Sequence, residues 1–263
     1  MKKLNYSRDS HSGQLGRRPL LGRVGWRTPV ALGGVALALS ACNVTNFGMH
    51  SGATSQGSDI FHLYQTFIYM AMGVAIVTFG ALVYVLVRFG RRKDNGVPRQ
   101  RHSNVKIEIV YTVIPAIIVA VIFFMTVGTE NKVDAVSTKP ALNLTVTGFQ
   151  WGWRFTYPNG VSVVTEGTSY PQMVLPEGEV TKVKLVSKDV VHGFYVAAFN
   201  FSRYALPGVT NYFDLTPNKL GTFVGRCSQL CGLYHAEMLF SVRVVTPAQF
   251  SAWLSSQGKG ATA

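Results

Sequence analysis

Two cysteines, one histidine and one methionine lie within the twelve residues 227–238, CSQLCGLYHAEM. Thiolate, imidazole and thioether are soft ligands, and together they favour copper over harder metals. A mononuclear blue-copper site uses one cysteine, two histidines and a weak methionine ligand. This segment has a second cysteine, and a second histidine must come from elsewhere in the chain. His192, in the strand-like stretch SKDVVHGFYV, is the only other histidine beyond residue 129.

The same residues could also form two other kinds of site. Zinc would be satisfied by two cysteines and two histidines, and Met238 would then have no role. A disulfide between Cys227 and Cys231 is permitted outside the cytoplasm, but it leaves the histidine and the methionine unexplained. The chain has only three cysteines, which argues against a disulfide framework. Copper is therefore the favoured interpretation.

Two uncharged runs predict membrane helices at about residues 60–87 and 109–128. The loop between them, residues 88–108, holds seven Lys and Arg but only two acids. By the positive-inside rule this loop is cytoplasmic, so the region after residue 129 is extracytoplasmic. Because the basic residues bracket apolar segments, the net charge of +13 reflects membrane topology. A nucleic-acid partner is not expected, since nucleic-acid binders carry their basic residues on a folded face.

The pattern of residues 1–41 predicts a signal peptide, because a basic region is followed by the short apolar run PVALGGVALALSA. The sequence LSAC, ending at Cys42, resembles the lipobox of bacterial lipoproteins. The resemblance implies cleavage before Cys42 and lipidation of its sulfur; an ordinary signal with an incidental cysteine is the alternative. Residues 42–58 are small and polar and predict a linker.

Residues 130–250 predict an all-β domain. The stretches LNLTVTGF, KVKLV and LFSVRVV alternate in hydrophobicity, and Pro/Gly/Asn turn signals separate them. Several short strands at this spacing indicate a sandwich or a barrel. A helix followed by the tail is expected over 247–263, because Thr246 and Gln249 form a capping-box pattern and Pro247 suits the first helical position.

The segment CSQLCGLYHAEM, preceded by DVVHGF, resembles the CuA motif of subunit II of the haem–copper cytochrome c oxidases. The likeness covers about residues 59–255 and implies a two-helix transmembrane hairpin followed by a cupredoxin-like, Greek-key sandwich outside the cytoplasm. It also implies a binuclear copper centre with the following ligands: Cys227 and Cys231 as bridges, His192 and His235 as terminal ligands, and Met238 and the Gln229 carbonyl as weaker ligands.

Two further stretches carry the resemblance. FQWGWRFTYP resembles the aromatic segment through which the family receives electrons, which implies that Trp151 is where the electron enters. EIVYTVIPA resembles the start of the second membrane helix and matches Glu108 to the glutamate at the mouth of a proton channel. Core tryptophans on a strand and a solvated glutamate at a helix end are the respective alternatives.

The chain departs from the family pattern at Gln229, where glutamate is usual. A main-chain ligand survives this change, but the family's Mg or Mn at the subunit I interface is in doubt because a charge is lost. The region from residue 129 onward holds eleven basic and eight acidic residues, a balance of +3. Carboxylates that would steer a soluble basic cytochrome are therefore few. A membrane-tethered or complex-bound c-type cytochrome is the expected donor.

The resemblance implies the electron-accepting subunit of an aerobic terminal oxidase in the bacterial plasma membrane. Electrons would pass from a c-type cytochrome through CuA to the haem centres of subunit I, where oxygen is reduced to water in a proton-translocating complex. The expected partners are oxidase subunit I, other oxidase subunits and membrane lipid. The alternatives are the corresponding subunit of a CuA-containing nitric oxide reductase and a copper-binding membrane lipoprotein. A metal-free quinol-oxidase subunit is disfavoured by the retained ligand set.

Overall fold

The computed structural model describes residues 46–89, 100, 103–167 and 169–258. Within these ranges two long helices precede ten strands and a closing helix. The helices are α1 (Ser55–Arg88), α2 (Val105–Val133) and α3 (Pro247–Gly258). The strands are β1 (Leu142–Phe149), β2 (Gly152–Thr156), β3 (Ser162–Val164), β4 (Gln172–Pro176), β5 (Thr181–Ser187), β6 (His192–Val196), β7 (Phe201–Ala205), β8 (Asn211–Leu215), β9 (Gly221–Cys227) and β10 (Leu239–Val245).

Helices α1 and α2 are long and apolar enough to cross a membrane. Thr54 caps α1 and Asn104 caps α2, each by accepting a hydrogen bond from a backbone amide of the first turn. The helices extend beyond the predicted bounds 60–87 and 109–128, because these polar caps lie outside the uncharged runs. Helix α2 also continues at its C-terminal end to Val133, past the predicted start of the β domain at residue 130.

The strands form two five-stranded sheets, ordered β3-β2-β1-β5-β8 and β4-β10-β9-β6-β7. Strands β1 and β5 pair in parallel, as do β4 and β10, while the other pairs are antiparallel. Apolar side chains of both sheets meet in one core, in which Trp153, Phe194 and Phe240 pack edge-to-face or stacked. The predicted hairpin followed by an all-β cupredoxin-like sandwich is confirmed.

The order of the second sheet brings two distant stretches together. Strand β6 lies beside β9, with Phe194 opposite Cys227. His192 begins β6 and Cys227 ends β9, so both reach the same end of the sandwich. The chain then crosses residues 228–238 and returns as β10, which pairs with β9.

Helix α3 closes the sandwich at the other end of β10. Thr246 Oγ1 accepts a hydrogen bond from the Gln249 amide, and Gln249 Oε1 accepts one from the Thr246 amide. Both bonds of the predicted capping box are therefore present. Phe250 and Trp253 pack against the buried Tyr157 ring.

The segment before α1 is part of the β domain, in contrast to the predicted linker over 42–58. Ala53 and Thr54 are buried, and the Ala53 amide donates to the Ala198 carbonyl at 2.8 Å. The Ser55 amide donates to the Thr216 carbonyl at 2.9 Å. Small polar residues predict a solvated segment only when no surface offers hydrogen-bond partners, and here the turns after β6 and β8 offer them. Residues 55–58 already belong to α1.

Candidate metal centre

Six candidate ligand groups converge at the end of the sandwich where β6 begins and β9 ends. His192 is fully buried, and Cys227, Cys231 and Met238 are also buried. His235 is half-buried and lies in a short 3-10 turn, His235–Glu237. The collection of sulfur and imidazole groups in one largely buried place is expected for a metal site, since metals bind cysteine and histidine in their deprotonated forms.

The distances between donor atoms define a compact cluster. The two sulfurs, Cys227 Sγ and Cys231 Sγ, lie 3.8 Å apart. His192 Nδ1 lies 4.0 Å from Cys227 Sγ, and His235 Nδ1 lies 3.5 Å from Cys231 Sγ. Met238 Sδ lies 3.7 Å from Cys231 Sγ. The nitrogens of both rings therefore face sulfurs, as a shared metal cluster requires.

The main chain adds an oxygen to the cluster. The Gln229 carbonyl oxygen lies 3.2 Å from Cys227 Sγ. The distance between Cys227 Sγ and Cys231 Sγ is far longer than a disulfide bond of about 2.05 Å, and both cysteines are free. The donor atoms of His192, Cys227 and Cys231 all lie within 4.8 Å of one another. Residues of this chemistry and spacing fit a binuclear copper ion pair.

Asp189 orients His192. Its Oδ1 lies 2.8 Å from His192 Nε2, which leaves Nδ1 directed at the sulfur. Its Oδ2 accepts a hydrogen bond from the Gln150 amide at 2.7 Å. Sequence reasoning did not assign this role to Asp189. The three-residue separation on the turn before β6 was the available signal, but spacing alone does not show which way a turn residue points.

The loop that carries the cysteines is fixed by close backbone contacts. The Gly193 amide donates to Cys227 Sγ at 3.4 Å, and the Ser228 amide donates to the Gly193 carbonyl at 2.9 Å. A Cβ at position 193 would lie 2.2 Å from Ser228 Oγ. Only glycine permits this approach, so Gly193 sets the position of the sulfur.

Trp151 lies against the same loop. Its indole Nε1 donates to the Cys231 carbonyl at 3.1 Å, and the Gln150 side-chain amide donates to the same oxygen at 2.8 Å. The Trp151 ring meets Tyr234 edge-on, with centroids 5.0 Å apart. The half-buried indole is thus in direct contact with the cysteine loop and also reaches the surface. Trp153, in contrast, is a core residue.

The pKa values of the two thiols are shifted in opposite directions. Burial raises the pKa of Cys227, but hydrogen bonds with His192 and with the Gly193 amide outweigh it, so the net pKa is lowered. Burial and the neighbouring Cys227 thiolate both raise the pKa of Cys231. Burial lowers the pKa of His192, but contacts with Cys227 and Asp189 raise it overall. Metal binding at both sulfurs therefore displaces a proton from the cluster.

Glu108, another predicted site residue, lies away from the metal cluster. Glu108 is in the first turn of α2, where its Oε1 accepts a hydrogen bond from the Asn104 amide at 3.0 Å. From there to Val133 the helix rises about 37 Å, so Glu108 is far from the metal cluster. The hydrogen bond that Glu108 accepts from the Asn104 amide is typical of a residue that caps the start of a helix. Cys42 lies outside the described residues.

Two family profiles match the chain. The profile described as cytochrome c oxidase subunit II, transmembrane domain, covers residues 42–127, and the profile described as the periplasmic domain of this subunit covers residues 166–245.

Relatives of known sequence match most of the chain. A probable cytochrome c oxidase subunit 2 of Streptomyces avermitilis is 33% identical over 86% of this chain and 85% of its own length. Cytochrome c oxidase subunit 2 of Mycobacterium tuberculosis is 30% identical over 88% of this chain and 81% of its own length. The crystal structure of the periplasmic domain of subunit II of cytochrome oxidase of Bradyrhizobium japonicum is 31% identical, covers 48% of this chain and 99% of that chain, and superposes with a TM-score of 0.43. The chain belongs to the cytochrome c oxidase subunit II family.

Proposed function

We propose that His192, Cys227, Cys231, His235, Met238 and the Gln229 carbonyl hold a binuclear copper centre, CuA, that receives electrons from outside the membrane. The observation that carries this proposal is the 3.8 Å separation of two buried sulfurs, each with an imidazole nitrogen within 4.0 Å. Zinc would leave the Met238 sulfur, 3.7 Å from Cys231 Sγ, without a partner.

As a member of its family, the chain is the electron-accepting subunit of a haem–copper terminal oxidase, an oxidoreductase complex. When bound, the copper pair takes up and releases one electron at a time. The chain positions the ligands on two adjacent strands and a glycine-fixed loop, so that they move little during electron transfer. It also shields four of the ligand side chains from bulk water, since His192, Cys227, Cys231 and Met238 are buried.

Trp151 is the proposed point of electron entry into the site. Its indole is hydrogen-bonded to the main chain of Cys231 and reaches the surface. This contact makes it the aromatic group between solvent and a bridging sulfur. The proposed donor is a c-type cytochrome that is membrane-tethered or complex-bound, because the balance of +3 after residue 129 gives little long-range attraction for a basic protein.

The chain is membrane-inserted through α1 and α2, with its copper domain extracytoplasmic. We place it in the bacterial plasma membrane, with residues 88–108 cytoplasmic, residues 1–41 as a signal peptide and Cys42 as the lipidated residue. Oxidase subunit I and the other oxidase subunits are the proposed partners. Glu108, at the cytoplasmic start of α2, is the proposed entrance of a proton channel. The nitric oxide reductase and copper-lipoprotein alternatives are not favoured by the named relatives.

The full-length chain, purified in detergent and loaded with copper, tests the ligand assignment. We expect a binuclear copper content and an EPR spectrum of one unpaired electron shared by both ions. Cys227→Ser and His192→Ala are each expected to abolish that spectrum, whereas His62→Ala, at an exposed position on α1, leaves it unchanged. Full copper binding and unchanged colour in both ligand variants would end the proposal.

A further inference from the structure

The segment before α1, residues 46–54, is bonded to the rest of the protein at both ends, and we call it the N-terminal strap. Near its end, the Ala53 amide donates to the β domain and Thr54 caps α1. Near its start, the Phe47 carbonyl accepts a hydrogen bond from the Tyr64 hydroxyl on α1 at 2.8 Å. The strap therefore runs beside the helix and antiparallel to it.

The start of the strap reaches a point far along α1. The Phe47 ring meets the Tyr69 ring edge-on, with centroids 6.1 Å apart. Tyr69 is fourteen residues beyond Ser55, the first residue of α1, so this contact lies about 21 Å along the helix axis. Residues 47–54 are long enough to span that distance, since an extended chain covers about 3.3 Å per residue.

This level on α1 coincides with the expected outer surface of the bilayer. The hydrocarbon core is about 30 Å thick, which about 20 helical residues cross. With Arg88 at the cytoplasmic surface, counting about 20 residues back along α1 leads to Ile68, next to Tyr69. The uncharged run of α2, residues 109–129, has a matching length. Phe47 and Tyr69 thus meet at the level where the hydrocarbon core borders the headgroups.

The side chains at this level suit the headgroup layer. Tyr64 and Tyr69 each carry a hydroxyl on an apolar ring, and aromatic residues of this kind are enriched at membrane surfaces. Phe47 and Met49 add apolar side chains, and residues 46–58 hold no Asp, Glu, Lys or Arg. Tyr69 is 57% exposed, so more than half of its surface is open to a partner. The start of the strap therefore presents an uncharged, aromatic surface at the depth of the lipid headgroups.

Hydrogen bonds also fix the strap between its ends. Asn200 Nδ2, in the β domain, donates to the His50 carbonyl at 2.7 Å. The Met49 amide donates to the Asn46 carbonyl at 3.0 Å and closes a turn at the start of the strap. The strap therefore has a defined position relative to both α1 and the β domain.

We propose that the start of the N-terminal strap, residues 46–49, inserts together with Tyr64 and Tyr69 into the headgroup layer of the extracytoplasmic leaflet, so that lipid is its partner. The inference rests on the membrane insertion of α1 and does not depend on the copper ligands. Because the strap is bonded to both α1 and the β domain, the lipid contact would hold the β domain at a fixed height above the bilayer. The domain would then have an attachment to the membrane surface in addition to α1 and α2.

Tryptophan fluorescence in brominated vesicles tests the depth of residues 46–49. The full-length chain is reconstituted in phosphatidylcholine whose acyl chains carry bromine either near the carbonyl group or near the middle, and bromine quenches only indoles close to it. In Phe47→Trp, the emission added to that of the four native tryptophans should fall about two-fold with bromine near the carbonyl group, because aromatic rings are favoured at the headgroup level. Bromine near the middle should quench it less.

Further variants calibrate the measurement. Ser51→Trp lies in the same strap but toward its domain end, where Lys219 Nζ donates to Ser51 Oγ, and neither lipid should quench it. Val77→Trp, at an exposed site near the middle of the membrane-spanning part of α1, should be quenched most by bromine near the middle of the chain. Met49→Trp reports on the same turn if Phe47→Trp does not fold. The copper EPR spectrum of the same samples should be unchanged, so a failed metal centre is recognised separately.

The possible failures are distinguishable. If Val77→Trp and Tyr69→Trp are quenched but Phe47→Trp and Met49→Trp are quenched no more than Ser51→Trp, α1 crosses the bilayer and the lipid-bound strap is wrong. If only Val77→Trp is quenched, the bilayer surface lies further along α1 and the proposal is also wrong. An unquenched Val77→Trp would contradict the insertion of α1 itself.

The same measurement on the purified oxidase complex in these vesicles separates lipid from a covering subunit. Quenching of Phe47→Trp that persists in the complex supports the lipid contact. Quenching that is present in the separate chain but lost in the complex would show that another subunit covers the strap, and it would overturn the proposal.

Discussion

Asp189 Oδ1 lies 2.8 Å from His192 Nε2, on the side of the ring opposite the Nδ1 that faces Cys227. The second oxygen of Asp189 accepts a hydrogen bond from the Gln150 amide, next to Trp151. One carboxylate therefore orients a candidate ligand and holds the start of the segment that carries the candidate electron-entry residue. A link of this kind couples the geometry of the metal centre to the surface where a donor would dock.

Removing this carboxylate is expected to weaken copper binding without removing a ligand. Asp189→Ala should lower copper affinity about ten- to hundred-fold, because His192 loses the partner that fixes its orientation. Competition with a copper chelator measures the change. Asp189→Asn keeps an oxygen acceptor and should retain most of the affinity. Equal losses in both variants would show that charge, rather than orientation, is what Asp189 contributes.

Gly193→Ala should disturb the cysteine loop. The added Cβ would meet Ser228 Oγ at 2.2 Å and the Gln229 amide nitrogen at 2.9 Å, so the loop must shift. Crowding of this kind costs about 1–3 kcal/mol of unfolding free energy. Urea unfolding and the copper EPR spectrum report the two effects. Gly128→Ala, where a Cβ meets nothing within 4 Å, is the control. An unchanged copper spectrum in Gly193→Ala would show that the loop tolerates displacement.

Gly57→Ala should loosen the contact between α1 and the β domain. A Cβ at this position would lie 2.2 Å from the Phe199 carbonyl oxygen, whereas one at Gly73 or Gly80 on the same helix meets nothing within 4 Å. We expect faster hydrogen exchange at the Ala53 and Ser55 amides in Gly57→Ala only, because those amides donate across this contact. The copper spectrum should persist. Unaltered exchange would show that the segment is held independently of Gly57.

The buried Tyr157 makes the stability of the domain depend on alkaline pH. Its hydroxyl donates to the Val174 carbonyl and accepts from the Val174 amide, and burial raises its pKa far above the usual 10.0. Above about pH 10 the unfolded tyrosine loses its proton while the folded one keeps it. The folded state then binds more protons, so unfolding free energy falls as pH rises, by up to about 1.4 kcal/mol per pH unit.

Tyr157→Phe should remove this contribution to the alkaline slope, as measured by denaturant unfolding between pH 9 and pH 11. Tyr212→Phe, at a half-exposed ring, is the matched control. If Tyr157→Phe keeps the wild-type slope, other groups govern the alkaline loss of stability.

Gln229 decides whether the complex retains a second metal. Its carbonyl faces the copper cluster, so Gln229→Ala should leave the copper spectrum intact. If the side-chain amide contributes a ligand to Mg or Mn at the subunit I interface, the variant complex should lose that metal while the wild-type complex holds it stoichiometrically. Metal analysis of both complexes measures this. Absence of Mg and Mn from the wild-type complex would show that the amide does not replace the family's glutamate.

The local features of this protein were readable from its sequence. The types and spacing of Cys227, Cys231, His235 and Met238 on one loop indicate a copper-binding ligand set. Uncharged runs of membrane-spanning length can likewise be recognised without tertiary context. Alternation in the strands predicted a sandwich, because one face of each strand must be buried. These properties depend on neighbours a few residues apart.

Only the tertiary structure decided how distant stretches meet. The pairing of β6 with β9 brings His192 to the cysteine loop, and the turn before β6 directs Asp189 at the ring. The same packing buries Thr54 against the domain and sets Glu237 beside Trp151. Such contacts depend on strand order and on which surfaces offer partners. A local sequence pattern predicts neither the strand order nor which surfaces offer hydrogen-bond partners. The same polar residues suit a solvated linker and a segment packed against the domain.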